Sequence, residues 1–147
     1  SVEVPWPYPA NGAEAFARTA LAEVERDEAM YWTIRLRSAL EEAIGLLAYT
    51  VADGPGGNRG FWLAEHLHGQ GLMTEAVGAF QDFVFFELGV ERIEVGNAIN
   101  NPASRRVKEK TGAQFIGYGE LEHRDGEHKA ELWKVTKERW SKLRGRS

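Results

Sequence analysis

His68-Gly69-Gln70-Gly71-Leu72-Met73-Thr74-Glu75 lies between an apolar run, Phe61-Trp62-Leu63-Ala64, and the start of a helical pattern. Two glycines two residues apart let the backbone turn tightly and come close to a ligand. The amides that open a helix have no partner within it and, with the helix dipole behind them, favour anions. This stretch is a pyrophosphate site in outline, set at a strand-to-helix turn. Around it, residues 60–112 read strand, glycine-rich turn, helix, strand, then a second helix opening on Asn101-Pro102.

Working outward, residues 74–88 carry Ala76, Val77, Phe80, Phe83, Val84 and Leu88 at helical spacing, and Gly89 ends the pattern. Residues 92–98 alternate as a strand. Asn101 is placed to cap a short helix with Pro102 at its first position and Gly112 just past its end. Upstream, residues 1–10 read as extended, with Trp6 and Tyr8 between three prolines. Residues 11–26 read as a helix capped by Asn11. Residues 31–38 and 43–51 read as strands across a turn at 39–42, and 60–66 as a third strand after a Gly-rich loop. Downstream, 115–122 and 129–135 are strands joined around Arg124-Asp125-Gly126. The strand–helix–strand unit from 60 to 98 predicts parallel strands through a right-handed crossover. The expected fold is α/β, a mixed and mostly antiparallel sheet with helices on both faces.

The length of 147 residues predicts one domain, 1–147, and 43% hydrophobic content suits a packed core. A net charge of −4 gives nucleic-acid binding no global support. Lys137, Arg139, Lys142 and Arg144 alternate with Glu138 and Trp140 and read as a solvated terminal segment. The absence of cysteine removes disulfides, thiol nucleophiles and Cys-ligated metals. No run has the length of a membrane span. No nucleic-acid or membrane partner is expected, and the compartment expected is the cytoplasm. His66 and His68 flank the turn, and His123 and His128 flank the last hairpin. A zinc site needs three or four converging ligands, so no metal is expected. Trp32 and Trp62 fall in apolar alternation and read as core, whereas Trp6 and Tyr8 read as pocket or interface.

Three anion sites compete. A P-loop needs Lys and Ser/Thr after its last Gly, and neither Gly-rich segment has them. A dinucleotide fold needs a third Gly, where Thr74 stands. The third is a coenzyme A site. Over residues 6–140 the sequence resembles the GNAT superfamily of acetyl-CoA-dependent N-acetyltransferases. Within it, the chain is most similar to the ribosomal-protein N-terminal (alanine/serine) acetyltransferase branch. Four motifs carry the resemblance in the family's order. They are Gly60-Phe61-Trp62-Leu63, the turn His68 to Ala76, Asn101-Pro102-Ala103-Ser104 followed by Glu109-Lys110-Thr111-Gly112-Ala113, and a closing strand ending in Glu138-Arg139-Trp140. The departures are His68 at the first place of the turn, Met73 where Gly or Ala is usual, and Ala113 where the family has an aromatic. The family's first strand and helix, expected before the Pro-rich segment, are not legible, so the domain reads as N-terminally incomplete relative to the family.

The resemblance implies direct transfer of acetyl from acetyl-CoA to a primary amine. It implies that a strand through Leu63 pairs with pantetheine, and that His68, Gly69, Gln70, Gly71, Leu72, Met73 and Thr74 hold the pyrophosphate. Asn101 would bind the pantetheine arm, or serve as a plain helix cap. Ser104 would act as general acid, or thiolate hydrogen-bond donor, and touch the cofactor. Lys108 and Lys110 would reach a CoA phosphate, or be surface charges. Glu65 and Glu94 are the candidates for a general base, and His123 for a part in acceptor chemistry. A peptide or protein N-terminus is the leading acceptor, ahead of small amines such as polyamines or antibiotics. A non-catalytic acyl-CoA-binding module is the alternative of a different class. A homodimer through the last strands is compatible with the sequence.

Overall fold

A computed structural model describes residues 26, 28–51, 58–123 and 126–146, with backbone alone for 121–123 and 126–128. The expected extended segment with Trp6 and Tyr8, the helix at 11–26, the tip of the last turn, and the side chains of His123 and His128 lie outside these residues. Two three-stranded antiparallel sheets form the body. The first is the meander β1 (Ala29–Ile34), β2 (Gly45–Thr50) and β3 (Arg59–Leu63). The second holds β4 (Arg92–Ala98), β5 (Gln114–His123) and β6 (Gly126–Thr136) in the order β4-β6-β5. Helix α1 (Leu72–Asp82) joins the sheets, α2 (Pro102–Lys110) joins β4 to β5, and α3 (Lys137–Leu143) follows β6. No helix among the described residues is long and apolar enough to cross a membrane.

Helix α1 buries Met73, Val77 and Phe80, and Val84 continues the stripe. Phe80 meets Trp32 edge-on at 5.7 Å and Tyr49 at 6.0 Å. The stripe then slips. A π-helical turn over Phe83–Glu87, closed by Leu88 N–H to Phe83 O at 3.0 Å, inserts one extra residue. Phe85 turns fully inward, while Phe83 and Leu88, expected as core positions at α-helical spacing, stay 37% and 42% exposed.

The parallel pairing expected between 60–66 and 92–98 does not form a ladder. The two strands meet at one joint, where Asn58 N–H donates to Glu94 O at 2.7 Å and Glu94 N–H donates to Asn58 Oδ1 at 2.9 Å. Beyond it, among the described residues, each strand pairs only within its own sheet. Strand twist carries them apart, and the gap admits Phe61 and the residues of α2.

The C-terminal segment is not simply solvated. The closing strand ends at Thr136, whose side chain caps α3 by accepting from Arg139 N–H. Trp140 is buried, and its Nε1 donates to Asp82 at 2.9 Å. Arg144 donates to the same carboxylate through Nε and Nη2 at 3.0 and 3.1 Å. An apolar residue every third or fourth position was needed to read this helix, and Trp140 and Leu143 supply only two.

Candidate active site

A cavity of about 710 Å³ opens where the sheets part. Its walls are the end of β3, the glycine turn with the start of α1, and one face of α2 along its length.

The strand wall follows from ladder alternation. Ala64 N–H donates to Ile44 O and Thr50 N–H to Asn58 O, so even-numbered residues of β3 bond to β2. The backbone groups of Phe61 and Leu63 therefore face the other edge, where the sheets part. Leu63 O accepts from His68 Nε2 at 2.8 Å, which places the ring proton on that nitrogen and braces the turn against the strand. Trp62, expected in the core, is instead 55% exposed and lines the cavity. Its neighbours Phe61 and Leu63 take the opposite face of β3.

The turn wall is backbone. Gly69 and Gly71 have φ of 79° and 77°, the left-handed region, and no atom of the described residues lies within 4 Å of where a Cβ would stand at either. The first bond of α1 is Glu75 N–H to Gly71 O at 3.0 Å. The amides of Leu72, Met73 and Thr74 precede it and have no partner in the helix. No side chain caps this end.

The α2 wall is side chain. Asn101 Oδ1 accepts from Ser104 N–H at 3.1 Å, so the cap reading of Asn101 holds while the residue also lines the cavity. With Oδ1 engaged, its Nδ2 is the group left to offer. Ala103, Arg106, Val107 and Lys110 form one stripe along the cavity. Arg106 was not anticipated. It lies three residues after Ala103 and four before Lys110, and that spacing could have found it.

The residues expected to act separate into two groups. Leu63, Glu65, His68, Gly69, Gly71, Leu72, Met73, Thr74, Asn101 and Ser104 all line the one cavity, and so does Lys110. Gln70, Lys108 and Glu94 do not. Gln70 is exposed and turns back towards His66 O. Glu94 is half exposed and pairs with Arg92 at 2.6 Å, away from the walls. Lys108 is neither a surface charge nor a cavity residue; it is 1% exposed and donates from Nζ to Ser104 Oγ at 2.8 Å.

Behind the α2 wall runs a polar seam that the sequence did not reveal. Ser104 and Lys108, on the inward face of α2, and Thr111, just past its end, are buried. Burial first, then the nearby Arg59 cation, pulls the Lys108 amine down to about 6. Arg59 is itself buried, which lowers it to about 10; its Nη1 donates to Gln81 Oε1, and its Nε and Nη2 have no partner among the described residues. Lys108 Nζ and the Arg59 guanidinium each lie 5.6 Å from the Phe61 ring centre. Glu131 is buried on β6 and accepts from Arg105 at 2.7 and 2.9 Å and from Asn97 at 2.8 Å. The Arg105 hydrogen bond, above all, holds its carboxyl below the usual carboxylate range.

A family model for the acetyltransferase (GNAT) domain matches residues 1–114. The chain is similar to "Probable N-acetyltransferase YjcK" of Bacillus subtilis (strain 168), at 45% identity over 53 residues, 36% of this chain and 29% of that protein. The match thus spans under a third of that curated relative's length. Among solved structures, the fold is similar to ribosomal-protein-S5-alanine acetyltransferase from Vibrio fischeri, with TM-score 0.73 and 19% identity over 88% of this chain and 73% of that one. It is also similar to a variant of spermidine N-acetyltransferase SpeG from Vibrio cholerae, with TM-score 0.75 and 12% identity over 95% of this chain and 84% of that one. At these identities the likeness to solved structures is one of fold. The family match reaches from residue 1 through the strand, glycine turn and α1, across β4, to the end of α2, and by it the chain belongs to the GNAT acetyltransferase domain family.

Proposed function

We propose that this chain transfers acetyl from acetyl-CoA to a primary amine, with a protein or peptide N-terminus as the leading acceptor. One observation carries the reading. A single cavity joins bare helix amides, two cationic side chains and a serine hydroxyl, beside a free strand edge. That set fits a long ligand with phosphates at one end and a thioester at the other. The amides of Gly69 to Thr74 take the pyrophosphate, with the α1 dipole behind them. Arg106 and Lys110 add positive charge at the same wall. The outward backbone groups of Phe61 and Leu63 pair with the pantetheine arm, and one of those amides polarises the thioester carbonyl. Acetyl-CoA supplies an activated acyl group. Ser104 supplies a hydroxyl to the departing sulfur, and Glu65 takes up the proton of the amine through water.

The acceptor reading rests on charge. Among the described residues that line the cavity, Glu65 is the one carboxylate. One carboxylate suits one ammonium group, whereas a polyamine presents several. An α-amine has a pKa of roughly 7.7–8.0 against roughly 10.4 for lysine, so neutralising it costs about 3.5 kcal/mol less. A water-mediated carboxylate is enough for such an amine. The polyamine reading has the SpeG likeness in its favour.

The test is calorimetric titration with acetyl-CoA, with ATP and NAD as controls, followed by an acceptor screen of N-terminal peptides against spermidine. Micromolar binding of acetyl-CoA alone and turnover of a peptide support the reading. Binding of ATP or NAD in its place overturns it, and turnover of spermidine alone replaces the acceptor class.

A further inference from the structure

Lys108 is the one amine on the inward face of α2, and its hydrogen bond to the cavity wall runs to Ser104. Its Nζ lies 2.8 Å from Ser104 Oγ, one helical turn away, while its own surface is 1% exposed. Its other neighbours offer it no better acceptor. Phe61 presents a ring face, Arg59 is a cation, and Glu131 is engaged by Arg105 and Asn97. Among the described residues, the Ser104 hydroxyl is its only hydrogen-bond partner. As an ammonium the Lys108 group has only N–H to offer, so Ser104 Oγ is the acceptor. A hydroxyl that already accepts from one side turns its own hydrogen elsewhere. For Ser104, which lines the cavity, the open direction is the cavity.

We propose that Lys108 is a positioning residue for acyl transfer, which holds Ser104 Oγ from behind and so aims the Ser104 hydrogen at the departing sulfur. This rests on the acetyltransferase reading above. In the step, the acceptor nitrogen bonds to the thioester carbon and the C–S bond breaks with its electron pair on sulfur. Ser104 O–H hydrogen-bonds that pair as it forms, the nitrogen's proton leaves to water, and water protonates the thiolate. Lys108 neither gains nor loses a proton. Its contribution is the direction of one O–H bond, made before the charge on sulfur develops.

The experiment compares wild type with Lys108→Met, Lys108→Gln, Ser104→Ala and the Ser104→Ala/Lys108→Met double variant. Methionine fills the same space without a donor, and glutamine restores an N–H at that depth. The expected result is a fall in kcat of roughly tenfold for Lys108→Met, the size of one intramolecular hydrogen bond's net contribution, with acetyl-CoA affinity within twofold of wild type. Lys108→Gln recovers most of that loss, and the double variant is no slower than Ser104→Ala. Equal kcat in Lys108→Met and wild type overturns the proposal, as does equal loss in the Met and Gln variants, which would mean a packing role. A double variant in which the two losses multiply overturns it too. A wild type that binds acetyl-CoA but acetylates no amine sinks the transferase reading and this inference together. An active wild type matched by Lys108→Met sinks the inference alone.

Discussion

The cavity is bounded by the N-termini of two helices, and they are finished in opposite ways. Helix α1 opens on Gly71, in the left-handed region and with no side-chain cap. Helix α2 opens on Asn101, whose side chain accepts from Ser104 N–H. The first leaves its amides bare for an anion. The second satisfies an amide internally and offers side chains in its place. The same chemical object, four unpaired N–H groups at a helix start, thus becomes an open end that favours an anion at one wall and a rigid mount for a hydroxyl at the other.

The strongest way to break this contrast is to fill the bare end. Gly71→Val forces a β-branched residue to φ of 77° and puts a side chain where ligand would lie. The expected loss of acetyl-CoA affinity is about a hundredfold or more by calorimetry. Unchanged affinity would mean that the glycine turn is only a turn.

A second test concerns the buried side of α2. The Lys108 amine titrates lower in the folded protein, about 6 against an ordinary 10.5, so the unfolded chain binds more protons between those values. The penalty it imposes on folding therefore vanishes above pH 10.5, grows as pH falls, and levels off below about 6. Arg59 from β3 adds to it, and Glu131 from β6 opposes it. Lys108→Met is expected to raise Tm by several degrees at pH 6–7, on the order of 1–2 kcal/mol, and by progressively less towards pH 10. A pH-independent shift would contradict the burial argument. Higher stability with lower turnover in one variant would also show that α2 gives up stability for aim.

Smaller effects sharpen the comparison further. Asn101→Ala removes a cap and is expected to cost about 1 kcal/mol in denaturant unfolding, with acetyl-CoA affinity changed only a few-fold. If affinity collapses as far as in Gly71→Val, the two helix ends do the same work and the contrast fails. Arg106→Gln together with Lys110→Gln is expected to weaken acetyl-CoA binding several-fold at low salt and hardly at all at high salt, since both charges stand at an open wall.

Much of this architecture was legible because local rules and tertiary packing agree in it. The glycine turn, the strand 92–98 and the Asn101-Pro102 to Gly112 helix carry punctuation with a direct stereochemical meaning, and the structure sets them where that punctuation says. The π-helical turn was not legible, because one inserted residue leaves no mark on an apolar run such as Phe83-Val84-Phe85-Phe86. Burial of Lys108 and exposure of Trp62 run against residue type; each follows from which face of its element looks into the gap between the sheets. That gap was itself hidden. A strand–helix–strand pattern says that two strands run the same way, but the distance between them depends on the twist of two whole sheets.

The joint between those sheets has a kinetic meaning. Asn58 and Glu94 fasten β3 to β4 with two hydrogen bonds, and no ladder continues from them. Beyond this joint the backbone groups of Phe61 and Leu63 face the gap with no described strand against them. Amide exchange along the outer edge of β3 should then proceed far faster than in β2, and slow sharply once a ligand strand lies against it.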